Sequence, residues 1–231
     1  MVNDQYVWFI WASSFLVAWV IIYALFPQHR RSMLWASIFT TPFGLTEPLF
    51  VPEYWSPPSL FNLAINTGFD IESLIFCFAI GGIAAVLYNL ITKQVPVPVS
   101  ANEKNKPLHR HHYMALSAPM IAFPIFYFFP FINWNPIYPS ILAMIVGTIA
   151  NVLCRPDLKR KSWIGGLLFL IFYIISLIGL EFIVPGYIER VWNTNALSGI
   201  HIWFMPIEEI LFAITFGMYW SGVYEHFTWR K

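Results

Sequence analysis

The residues able to do chemistry in this chain are acids. Glu208 and Glu209 stand side by side behind Pro206 and ahead of the apolar run ILFAITFGMYWSGVY. Glu72 stands two residues after Asp70 at the head of a second such run, and Glu47 and Glu181 lie near the ends of two more. Carboxyls beside apolar surface and beside one another hold their protons more tightly than in water. A carboxylic acid that is still protonated near neutral pH can donate that proton. The alternative is that these acids only cap helix starts, where exposed N–H groups favour negative charge. Phe212, Thr215 and Tyr219 follow Glu208 on one helical face, and Phe216 and Trp220 follow Glu209 on a neighbouring one. An acid at the end of such an aromatic stripe can protonate an apolar substrate and shelter the resulting cation against ring faces. Packing, or an aromatic belt at a membrane interface, is the simpler use of the same rings.

The acids at 72 and 208 stand in register. Asp70–Asn89 and Pro206–Glu225 align without a gap, pairing Ile71, Glu72, Phe76, Gly81 and Tyr88 with Ile207, Glu208, Phe212, Gly217 and Tyr224. Upstream, Glu47 and Val51-Pro52 answer Glu181 and Val184-Pro185. Matched apolar residues come easily between two apolar helices, but matched Glu, Gly and Tyr do not, so the pattern indicates a duplicated unit.

The elements that must position these acids are membrane helices. Apolar residues form 58% of the chain and charged residues 11%, and the mean hydropathy is +0.62, far from a soluble domain. Net charge near zero gives no case for nucleic-acid binding. Seven hydrophobic segments are expected as spans, near 6–26, 33–50, 71–91, 113–131, 137–154, 163–184 and 207–227. Pro42 and Gly44 interrupt the second. The first has no basic n-region and is expected to be retained. Lys and Arg follow the first, third, fifth and seventh segments, leaving only Arg190 of thirteen on the other side. Positive charge marks the cytoplasmic side, so a multi-pass protein of the cell membrane is expected, N-terminus outside and C-terminus cytoplasmic. Asp4, Glu47, Glu53, Asp70, Glu72, Glu181, Glu189, Glu208 and Glu209 gather on the outer side.

The fold expected is therefore an all-α integral membrane bundle of two parallel three-helix repeats, residues 1–92 and 136–231. Residues 93–135 supply a loop and a linker helix, and a site would lie between the repeats. The loop from Lys93 to His112 is rich in Pro and Asn and is expected to be flexible. His109, His111 and His112 in it invite a metal, but no Cys or carboxylate close in sequence completes a ligand set. A solvated basic loop is expected there, with no metal. Cys77 and Cys154 lie at different depths and are expected as lone thiols.

The segment Val184-Pro185-Gly186-Tyr187, Trp192-Asn193, Gly199, then Pro206-Ile207-Glu208-Glu209 with Leu211-Phe212 and Tyr224-Glu225, resembles the membrane-embedded lycopene cyclase domain. That domain occurs as small c and d subunits or as a fused two-repeat form. The first repeat departs from its pattern, with Asp70 in place of the proline and Ser73 in place of the second Glu. The resemblance implies an acid–base, non-redox cyclisation of lycopene, an isomerase of carotenoid biosynthesis that gives a β-ionone end or another ring isomer without a cofactor or metal. It implies Glu208 as acid, Glu209 tuning it or acting as base, and Glu72 as partner, with Glu47 and Glu181 facing the same space. Phe76, Phe212, Phe216, Tyr219 and Trp220 would line the pocket, with Asp70 beside it and His201 available to relay a proton. Its partners would be an apolar carotenoid, membrane lipid, and a second copy or other enzymes of the pathway. A carotenoid hydratase and a proton-coupled transporter with parallel repeats are the rival readings. A retinal photoreceptor is excluded, because it needs a lysine within the bundle and every lysine (93, 104, 106, 159, 161 and 231) is expected in a cytoplasmic loop or tail.

Overall fold

The computed structural model describes residues 3–129 and 134–231. Seven helices longer than ten residues account for most of it. They are α1 (Asp4–Leu25), α2 (Arg30–Thr40), α3 (Ile71–Thr92), α4 (His112–Tyr127), α5 (Ile137–Cys154), α6 (Lys159–Ile183) and α7 (Ile207–Thr228). Among the described residues, four helical stretches, α1, α3, α5 and the Pro156–Ile183 stretch containing α6, are long and apolar enough to cross a membrane. That is compatible with membrane insertion. α7 has 22 residues but carries Glu208, Glu209 and Glu225. α2 and α4 are shorter, at 11 and 16 residues. The last two residues of the expected fourth segment, 130 and 131, lie outside the described residues.

Each end has a local cause. Asn3 caps α1, its side chain accepting from the Gln5 N–H, and Asp70 caps α3, accepting from the Ser73 N–H at 2.6 Å. The second segment does not continue as an α-helix. At Thr41 it tightens into a 3₁₀ stretch, Thr41–Leu49, containing Pro42 and Pro48. Neither proline has an N–H for the ladder. Gly44 lets this stretch lie directly on α3, since a Cβ there would meet the Ser73 and Leu74 backbone at 2.8 Å.

α3 and α7 pack together at the centre, α3 also against α1 and α2, and α7 against α5 and α6. The two glycines that align in sequence make both close approaches. A Cβ on Gly81 would strike Thr40 of α2, and one on Gly217 would strike Phe169 of α6. At one end, Trp55 and Trp192 form an antiparallel bridge. The Ser56 N–H donates to the Val191 carbonyl and the Asn193 N–H to the Tyr54 carbonyl, each at 2.9 Å. Two strands of two residues, β1 (His201–Ile202) and β2 (Met205–Pro206), turn the chain into α7.

The opposite end corrects three expectations. The Lys93–His112 loop is tied down rather than free. Its Val97 exchanges backbone hydrogen bonds with Lys231, and the Val99 N–H donates to the Trp229 carbonyl. A proline-rich extended segment has unpaired carbonyls, and the C-terminal tail pairs with them. Lys161 is no loop lysine: it is 6% exposed in the first turn of α6 and is ion-paired with Glu225. His109 and His112 are buried rather than solvated, and Cys154 lies against both. It is far from them in sequence and arrives through the packing of α4 on α5.

Candidate active site

Among the described residues, Glu209 is the carboxylate held by the most side-chain donors. It is 2% exposed. Its Oε1 accepts from the Trp192 indole N–H at 2.6 Å and from the Tyr54 hydroxyl, and its Oε2 accepts from the Tyr173 hydroxyl at 2.6 Å. The three donors come from three places: the loop after the 3₁₀ stretch, α6, and the loop before the hairpin. The bridge between Trp55 and Trp192 brings the two loops together. Burial pushes the Tyr54 phenol well above its ordinary pKa, and the Glu209 charge adds to the effect. Tyr54 therefore stays a neutral donor.

Glu209 lines a cavity of about 310 Å³ bordered by α1, the end of α2, the 3₁₀ stretch, α3, α4, α5, α6 and α7. Its walls are almost wholly apolar and strongly aromatic, with Trp8, Trp11, Phe76, Tyr173, Phe212 and Phe216 among them. The rings touch one another: Trp11 stacks on Phe76 with centroids 5.8 Å apart, and Phe212 meets Phe216 at 5.6 Å. Glu47 is the other acid in the lining. Its Oε2 accepts from the Ser73 hydroxyl at 2.9 Å, and its Oε1, although buried, has no hydrogen-bond partner among the described residues. Met120 of α4, 42% exposed, marks where the lining reaches the outside of the bundle.

The other acids lie elsewhere. Glu208 is fully buried but does not line the cavity. Its Oε1 accepts from the Tyr138 hydroxyl at 2.7 Å and from the Ser198 N–H at 2.9 Å. Glu72 accepts from the Leu60 N–H at 2.7 Å. Each of this pair thus grips the loop preceding its own helix. Glu181 accepts from the Gly186 N–H at 2.5 Å and closes the turn after α6. Asp70 also accepts from the Trp8 indole at 3.2 Å. Of the expected lining rings, Phe76, Phe212 and Phe216 are in the wall. Tyr219 and Trp220 are buried outside it, Tyr219 donating to the Leu116 carbonyl. His201 is exposed, its ring against the Gly199 carbonyl. Sequence reasoning missed Tyr54, Tyr173 and Trp192. The Trp192 in the quoted motif was the one available signal.

Residues 135–227 match the family model described as lycopene cyclase. That stretch is therefore similar to the lycopene cyclase family. The matched span runs from the start of α5 to the end of α7 and includes Tyr173, Trp192 and Glu209 of the cavity. The lycopene cyclase match points to an enzyme of carotenoid biosynthesis. No curated protein and no solved structure matches the chain.

Proposed function

We propose that the chain cyclises the end of a linear carotenoid of the lycopene type, with the reaction carried out in the aromatic cavity between α3 and α7. The observation that carries this reading is a carboxylate, Glu209, set into an apolar aromatic wall by three hydrogen-bond donors. Glu47 supplies the proton from its buried Oε1, which has no hydrogen-bond partner among the described residues. The proton adds to the terminal double bond of the substrate. The cation left on the neighbouring carbon is attacked by the next double bond, which closes a six-membered ring, and loss of a proton restores neutrality. No atom or electron is gained overall, so the change is an isomerisation.

Glu209, held in place by its three donors, faces the migrating positive charge and accepts the departing proton. Aromatic faces hold cations by their quadrupoles, and an apolar wall keeps water from quenching the intermediate. At about 310 Å³ the cavity is at the small end of ligand pockets and accommodates one end of a long chain rather than all of it. The substrate enters from the bilayer past Met120. In this reading the seven segments cross the membrane with the N-terminus outside, and residues 1–92 and 136–231 are the two repeats. The paired duties of Glu72 with Glu208, and of Gly81 with Gly217, support the duplication.

The test is product analysis in cells that accumulate lycopene. The expected product has unchanged mass and a cyclic, β-type end spectrum. Glu209→Gln and Glu47→Gln lower its formation by about 10²–10⁴-fold, the range for a lost general acid or base, while Glu208→Gln, away from the cavity, keeps turnover where the protein still folds. A product heavier by one water means hydration instead. Lycopene left unchanged by wild-type protein present in the membrane refutes the reading.

A further inference from the structure

A second cluster lies at the end of the bundle that carries Arg155 and Lys161, and the proposed cyclisation makes no use of it. His109 ends a 3₁₀ turn, Pro107–His109; His112 opens α4; Cys154 closes α5. All three are buried, at 7%, 4% and 6% exposure. One ligand atom from each lies within 4.8 Å of the others. We propose that His109, His112 and Cys154 bind a borderline-soft divalent metal ion, of which Zn²⁺ is the natural example, and that the ion staples the turn and α4 to the end of α5.

The two sulfur–nitrogen distances fit an ion. A tetrahedral Zn²⁺ with bonds of about 2.3 Å to sulfur and about 2.0–2.1 Å to nitrogen sets S···N at about 3.6 Å. The Cys154 Sγ lies 3.7 Å from Nδ1 of His109 and 3.7 Å from Nδ1 of His112. Both imidazoles therefore present the same nitrogen to the sulfur.

The far side of each ring supports the same assignment. Nε2 of His112 lies 2.9 Å from the His226 carbonyl, so it carries the proton and donates it, leaving Nδ1 as a bare lone pair aimed at the sulfur. Metal-bound histidines commonly donate their second N–H in this way. Nε2 of His109 faces the Glu103 carboxylate at 3.8 Å and has no hydrogen-bond partner among the described residues, which favours the same tautomer. Two bare Nδ1 lone pairs then converge on one thiol. A single S–H proton can serve only one of them, whereas a cation serves both nitrogens and the thiolate together. Trp229 covers the site, stacked on His112 with ring centroids 3.7 Å apart. The neighbouring Arg155 charge is offset by Asp157, which it binds at 2.6 and 2.8 Å. Two nitrogens and a thiolate suit Zn²⁺ better than Mg²⁺ or Ca²⁺, which take oxygen donors. Three protein ligands leave a fourth position for water.

The experiment uses the full chain in detergent, without a polyhistidine tag, loaded with Zn²⁺ or Co²⁺ and dialysed against a weak chelator. The expected result is about one ion per chain and a thiolate-to-Co²⁺ charge-transfer band. Cys154→Ser and His109→Asn lose both signals; His111→Ala, which removes an exposed histidine, and Cys77→Ala keep them. On unmodified protein, Zn²⁺ slows alkylation of Cys154 and leaves Cys77 unchanged, a readout that needs no variant to fold. Wild-type protein without bound ion, an ion retained in full by Cys154→Ser, or an alkylation rate at Cys154 indifferent to Zn²⁺ overturns the proposal.

Discussion

Removing the Lys161 ammonium isolates a buried carboxylate, and the cost can be worked from its surroundings. Lys161 is paired with Glu225 and donates to the Asn89 side-chain oxygen at 3.0 Å; Asn89 donates to the same Glu225 oxygen at 3.0 Å. Lys161 and Glu225 are 6% and 1% exposed, and Glu225 Oε2 has no hydrogen-bond partner among the described residues. In Lys161→Met the carboxylate keeps one neutral donor. Breaking a buried pair by removing one member costs about 3–5 kcal/mol, because the remaining charge is left uncompensated. Each kcal/mol moves the midpoint of a chain of this size by about 2–4 °C, so the thermal transition in detergent falls by about 6–20 °C. The eleven tryptophans make intrinsic fluorescence a suitable probe. Removing the second charge as well should undo most of the loss, since replacing a whole buried pair by apolar groups is often neutral or stabilising. Lys161→Met/Glu225→Leu is therefore expected to unfold above Lys161→Met. A single variant within about 2 °C of wild type, or a double variant whose loss equals the sum of the singles, would refute the reasoning.

Three further outcomes follow from the packing and the site. Gly217→Ala places a methyl 2.6 Å from the Phe169 Cβ and 3.0 Å from the Gly166 backbone, and overpacking of this kind costs about 1–3 kcal/mol in a denaturation series. Gly179→Ala, with nothing within 4 Å of the new methyl, stabilises α6 by about 0.5–1 kcal/mol in the same series. Tyr173→Phe deletes one donor to Glu209. A hydrogen bond to a charged group contributes about 1.5–3 kcal/mol, so the rate of ring formation falls by roughly 10- to 100-fold, read in kcat with lycopene in proteoliposomes and unchanged substrate binding.

The helices were largely legible, because apolar runs of this length have few other uses. The interruption of the second segment was legible too, in Pro42 and Gly44. Which acid would meet the cavity was not. Glu208 and Glu209 differ by about 100° around a helix, and only the neighbours decide which direction is the wall. Register within the repeat pointed to Glu208, but that position serves to hold a loop, as Glu72 does in the first half. The residue with a chemical environment is the one that the repeat does not duplicate, since Ser73 stands opposite Glu209 and binds Glu47 instead. Tyr54 and Trp192 reach Glu209 through a bridge between loops more than a hundred residues apart, and no local pattern announces such a contact. The same holds for Cys154 beside His109 and His112.

The bridge between Trp55 and Trp192 has a consequence for how this chain can be recombined. Glu209 belongs to the second half, yet one of its three donors is Tyr54 of the first, and that donor is held in place by the bridge. Neither half carries a complete site, so each is a hostage to the other's loop. A chimera that takes its halves from two related proteins should work only when both sides of the bridge remain compatible. A swap whose crossover leaves every helix intact but alters residues 54–56 or 191–193 would give a protein that assembles with Glu209 stripped of the donors that hold it.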